Sequence, residues 1–287
     1  MFDLLTSDEL YAEMVMRRTN DDRTFLVVEG VADLAVFDRF VDRNRCQILA
    51  AHGKSRAFDA IKKASENSFL GALAILDRDW VGLLPHEAPF DRISYTDDYD
   101  LDACVFYSES VCESVASAFA DLSVYEIGKN GCREIDIHNR CQDLAFPIGL
   151  LRFISARDSL ALSLRDFPIA AAIDRSTLRI DVPKMIKIAL GKSDGSCPLT
   201  EDEILQIYLT EADKVQHPRR YCSGHDLAKA FAYLLKVEWG AASNVGADIV
   251  ERSSRAAMSY ELIKRLETHG NVERMAAALG VRVWKVQ

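Results

Sequence analysis

The chain has no Cys-x-x-Cys pair, no apolar run approaching about 18 residues and no Gly-x-Gly-x-x-Gly after its first strand-like segment. Each absence removes a class of protein. The seven cysteines are Cys46, Cys104, Cys112, Cys132, Cys141, Cys197 and Cys222. An odd count without metal-ligand spacing indicates neither a zinc site nor a secreted disulfide framework, so reduced and mostly buried thiols are expected. No segment is long and apolar enough for a membrane helix. The stretch from Met1 to Arg18 carries acids and no apolar core, unlike a signal peptide. The expectation is a cytoplasmic, bacterial-type protein with no membrane association. A dinucleotide-binding enzyme is disfavoured by the missing glycine fingerprint. Basic charge is also short, with 35 Lys and Arg against 44 Asp and Glu and a formal net charge of −9. That excludes coating nucleic acid by global attraction, but not a local basic groove beside metal-binding carboxylates. No internal repeat or low-complexity segment is visible.

What remains is an ordinary globular composition, 49% hydrophobic and 28% charged over 287 residues, enough for one large domain or two smaller ones. Ser7 to Arg18 has helical spacing. Thr24 to Val28, Cys46 to Ala51, Leu70 to Leu76 and Arg92 to Thr96 read as strands. Helical patterns over Ala32 to Arg43 and Arg56 to Asn67 alternate with the first three of them. Such alternation through short loops predicts an α/β fold with a parallel sheet flanked by helices. Helix is expected from Leu101 to Leu122 and loop from Gly128 to Arg133. Further helices are expected over Cys141 to Ser159 with an interruption at Pro147, Lys184 to Leu190, Thr200 to Ala212, Asp226 to Lys236 and Met258 to Thr268. The predicted organisation is an N-terminal helix (1–23), a sheet domain (24–125) and a mainly helical second domain (126–287).

Two of the strands end in carboxylates. Leu26-Val27-Val28 runs into Glu29-Gly30, and Ala74-Ile75-Leu76 runs into Asp77-Arg78-Asp79. In one parallel sheet, all three acids emerge at the carboxyl edge, where ligands of open α/β sheets bind. They would repel one another unless a cation sits between them. Magnesium prefers oxygen ligands, and such ions promote phosphodiester cleavage. If the segment is extended, Arg78 points away and Asp77 and Asp79 face the same side. Singly, each acid reads equally well as a turn or a helix cap. In this order and context, a metal site is the better reading.

These motifs resemble the TOPRIM domain of topoisomerases, primases and overcoming-lysogenization-defect nucleases. The finer pattern is similar to a TOPRIM-like family once described as a domain of unknown function. It shows Val28-Glu29-Gly30 with Asp33 soon after, a Gly53-Lys54 turn, the Asp77-Arg78-Asp79 triplet and Thr96-Asp97-Asp98-Tyr99-Asp100-Leu101-Asp102. That family includes the effector subunit of PARIS-type anti-phage systems. The likeness covers roughly residues 24 to 107, with His52, Val81 and Asp102 departing from it. It implies a TOPRIM-like sheet and a Mg²⁺- or Mn²⁺-dependent endonuclease. Glu29 would be a metal ligand or general base, Asp77 and Asp79 metal ligands, and Asp102 or Asp100 a further ligand. Lys54 and Arg78 would contact phosphate. It also implies an ABC-type ATPase sensor as partner, RNA such as tRNA favoured over DNA as target, and a possible homodimer. A DNA-nicking enzyme and a non-catalytic interaction protein are the alternatives.

Three other motifs have local explanations. Ser223 and Asp226 stand at capping-box spacing before an apolar helix, which accounts for Ser223-Gly224-His225-Asp226 without catalysis. His217-Pro218-Arg219-Arg220 reads as a solvated loop. Gly270 to Val281 suggests the first half of a helix-turn-helix, but the six residues that follow are too few for a recognition helix.

Overall fold

Strand β1 (Thr24–Val28) is the sheet's pivot, because every one of its residues is buried and it pairs on both sides. In the computed structural model, which describes residues 6–84, 90–121, 123–124, 134–195 and 197–286, it lies between β2 (Cys46–Ala50) and β3 (Ala72–Leu76). The fourth strand, β4 (Ile93–Tyr95), pairs with β3. All pairings are parallel and the order is β2-β1-β3-β4. The unbroken apolar runs Phe25-Leu26-Val27-Val28 and Ala72 to Leu76 belong to strands covered on both faces, as parallel sheets require.

Helix α1 (Ser7–Arg18) starts at Thr6, whose side chain accepts from the Glu9 N–H in a capping box. With α3 (Lys54–Glu66), α1 covers the face bearing Phe25, Val27, Ala72, Ala74 and Leu76. Helix α2 (Val31–Phe37) follows β1 and is shorter than its apolar periodicity suggests. Its last hydrophobics, Phe40 and Val41, are buried beyond the helix. There the chain is held by Asp42 and Lys285 N–H groups donating to Val283 and Phe40 carbonyls, and Val41 pairs with Trp284.

The chain forms two compact units, Met1–Leu101 with Met258–Gln287, and Asp102–Ala257. The division thus falls at residue 101, not near 125, and the last thirty residues go with the sheet instead of the helical region. The reason is specific. Asp97 accepts from the Glu267 and Thr268 N–H groups at 2.7 and 2.8 Å and so caps the final helix, Glu267–Ala278, which packs on β3 and β4.

Among its described residues, the strands of the otherwise mainly helical second unit are a hairpin of two-residue strands, Ile173–Asp174 and Arg179–Ile180. The expected helix 101–122 is two, Leu101–Phe106 and Val111–Phe119, broken where Ser110 turns left-handed (φ 63°). Helix Glu134–Arg157 passes through Pro147 without ending, since a proline removes one backbone bond and neighbouring packing holds the rest. It packs against Gly224–Val237, which Ser223 caps by accepting from Asp226 N–H at 3.2 Å. The expected loop at 128–133 and Cys132 lie outside the described residues. The other cysteines are free thiols, all buried except half-buried Cys197. No helix among the described residues is long and apolar enough to cross a membrane.

Candidate active site

The order β2-β1-β3 means that the chain leaves β1 to one side for β2 and returns to its other side for β3. The crevice between the carboxyl ends of β1 and β3 is therefore the topological switch point, the place where open α/β sheets bind ligands. Glu29 follows β1 and Asp77 follows β3 directly. The Asp77 N–H donates to Glu29 Oε1 at 2.8 Å, so the two acids meet across this crevice. Asp77 Oδ1 accepts from the Leu101 N–H at 3.1 Å. The turn after β2 belongs to the same edge, because the Gly53 N–H donates to the Glu29 carbonyl at 3.0 Å. Gly53 has φ 140°, a conformation that suits glycine, and it places Lys54 as the first residue of α3.

Asp79 reaches the edge differently from the extended geometry the triplet suggests. The strand has ended, and Asp79 is left-handed (φ 44°), with its N–H donating to the Tyr99 carbonyl at 2.8 Å. Aspartate tolerates this conformation better than most residues. Its Oδ2 accepts from Lys54 Nζ at 2.8 Å, and that ammonium also lies 5.7 Å from the centre of the Tyr95 ring.

Burial dominates the electrostatics. Desolvation pushes Glu29 up to about 7, helped by the charges of Asp79 and Asp33 and opposed by the Asp77 N–H and Lys54. Asp77 is also pushed well above the usual carboxylate range, first by burial and then by Asp100, Glu29, Asp33 and Asp79. Asp33 holds the Gly30 N–H at 2.8 Å, and so adds its charge to the cluster from the first turn of α2.

The remaining sequence candidates separate. Arg78 is tied to the residue after β4, its Nε donating to the Thr96 carbonyl at 2.6 Å and its N–H to Thr96 Oγ1 at 2.9 Å. Asp102 belongs to the second unit, where the Arg255 guanidinium takes both of its oxygens, Oδ1 at 2.6 Å. A carboxylate held in that fork has both oxygens engaged by one guanidinium. Asp100 is the acid that acts electrostatically on Asp77. Thr96, Tyr95 and Tyr99 support the site through contacts with Arg78, Lys54 and Asp79. The Thr96 to Asp102 motif was the signal for two of them.

The donors are all hard oxygens, which suits Mg²⁺ or Mn²⁺. Among the described residues, however, no group of three or more His, Cys, Asp or Glu side chains is gathered to hold a metal ion. Glu29 and Asp77 already accept backbone N–H groups, and Asp79 accepts the Lys54 ammonium. The oxygen chemistry of the set is the kind that suits a divalent cation, and Asp79 is paired with Lys54. No protein-family model matches the chain, and no curated protein matches it either.

Proposed function

We propose that the chain is a divalent-metal-dependent phosphodiesterase that cuts nucleic acid at the β1–β3 crevice. One observation carries this reading: Glu29 and Asp77 stand half-buried side by side at the switch point, with Asp79 and Asp33 adding like charge. Burying mutually repelling carboxylates is unfavourable, and a cation at their edge relieves it. Glu29, Asp77 and Asp79 are the residues that would hold the ion. When bound, Mg²⁺ or Mn²⁺ supplies charge stabilisation for the leaving oxygen and acidifies water. Glu29, whose Oε1 keeps the Asp77 N–H, would serve as a ligand of the ion or, if left off it, as the group that accepts a proton at Oε2. Lys54, at the start of α3, supplies positive charge for the phosphate. Helix N-termini favour anions in any case.

The resemblance to TOPRIM-like effectors extends the proposal to an anti-phage toxin released by an ABC-type ATPase sensor, with RNA such as tRNA preferred over DNA. The test is expression of the wild type, Glu29→Ala and Asp77→Asn in cells, followed by sequencing of RNA ends and a plasmid-nicking assay. New RNA ends with the wild type alone support the proposal. Nicked plasmid without new RNA ends would make the substrate DNA. Toxicity and cleavage unchanged in Glu29→Ala would remove Glu29 from the mechanism.

One observation favours a second reading, a non-catalytic interaction protein: all three acids already have partners within the protein. Calorimetry showing no Mg²⁺ or Mn²⁺ binding would support it.

A further inference from the structure

We propose that Lys54 is a resident cation that withholds Asp79 from the metal, so that loading the site requires its displacement; this rests on the metal-dependent reading above. The ammonium lies 2.8 Å from Asp79 Oδ2, and its attraction extends to Glu29. Both partners are anchored by backbone. Gly53 ties the turn before Lys54 to the Glu29 carbonyl at 3.0 Å, and Tyr99 holds the Asp79 N–H at 2.8 Å. The pair is half-buried, with side-chain exposures of 22% and 31%, so water screens it only in part.

A divalent ion bound to Asp79 would bring two positive charges against a third within a few ångströms. The ammonium and the ion therefore compete for one carboxylate. Lysine suits this role, since its charge rides on a flexible four-carbon stem and can swing away without moving α3. Displaced from Asp79, Nζ stays at the start of α3, beside the metal edge, where a substrate phosphate would sit. Lys54 then links metal loading to phosphate contact. The same pair accounts for the missing third ligand, because Asp79 is the carboxylate held back.

The experiment is calorimetric titration of MgCl₂ and MnCl₂ into the full chain as wild type, Lys54→Met, Lys54→Arg and Lys54→Met/Asp79→Asn. Circular dichroism confirms folding, and Lys54→Gln replaces Lys54→Met if the latter does not fold. Lys54→Met is expected to tighten metal binding about tenfold, the effect of one neighbouring charge on a carboxylate. Lys54→Arg should stay near wild type, and the double variant should lose the gain, placing the coupling at Asp79. Wild-type binding that Lys54→Met leaves equal or weaker overturns the lysine proposal alone. No binding by any variant overturns both this proposal and the metal-dependent reading. Binding by Lys54→Met where the wild type binds nothing supports both.

Discussion

Glu29 is a residue whose charge this structure tolerates poorly and whose place explains most. Its folded-state value of about 7 lies above the ordinary 4.5, so the folded protein holds a proton there that the unfolded chain releases. The resulting stability is present below about 4.5 and is lost as pH rises through about 7. Glu29→Gln keeps an acceptor for the Asp77 N–H and removes the charge. In chelator at pH 8 it should raise stability by about 2 kcal/mol in urea denaturation, while losing metal binding. The gain should shrink at pH 5, and Mg²⁺ should stabilise the wild type but not the variant. The identity of this residue was legible in the sequence, because an apolar strand ending in Glu-Gly is a local pattern. The commitment of Asp102 was not. Its partner, Arg255, lies far along the chain, and nothing in the acidic run from Asp97 to Asp102 distinguishes a helix cap, a salt-bridge partner and a charge beside Asp77.

At the scale of elements, strands and helices of the sheet unit follow directly from buried apolar runs and helical spacing. Boundaries shift where packing overrides periodicity, as at Phe40 and Val41, which remain apolar at helical spacing but are buried outside α2. The extended reading of Asp77-Arg78-Asp79 failed because β3 stops at Leu76 and Tyr99 captures the Asp79 N–H, a long-range bond invisible in the triplet itself. Asp97 makes the final helix part of the sheet unit. Asp97→Ala should cost about 1–2 kcal/mol, the loss of an N-cap with an added hydroxyl bond from Thr268, measured by thermal or urea unfolding. In the helical unit, His138 packs against the Phe106 and Tyr107 rings with no partner on Nε2. Burial, with Arg219 nearby, lowers it from 6.5 to about 4. The unfolded chain therefore takes up a proton that the folded form refuses, and stability present above 6.5 is lost as pH falls toward 4. His138→Leu should reduce the difference in urea midpoint between pH 7 and pH 5 by an amount equivalent to about 1–2 kcal/mol, allowing for partial exposure.

At the scale of the whole molecule, the fold class was legible because β-α alternation is written locally, whereas the discontinuous sheet unit was not. Helices before and after residue 258 look alike in sequence, and only contacts such as Asp97 with Glu267 and Thr268 decide where the last one belongs. The net charge of −9 leaves little general attraction for nucleic acid, so binding should depend on the loaded crevice. The central claim is that this crevice cuts phosphodiesters with a divalent ion held by Glu29, Asp77 and Asp79. Its most direct measurement is the rate at which the purified chain cleaves end-labelled RNA and DNA in Mg²⁺ or Mn²⁺, in chelator, and as Glu29→Gln. The account predicts metal-dependent cleavage that chelator abolishes and Glu29→Gln lowers by about a hundredfold or more, as expected for a lost metal ligand or general base. Equal cleavage by wild type and Glu29→Gln, or cleavage that persists in chelator, would contradict it.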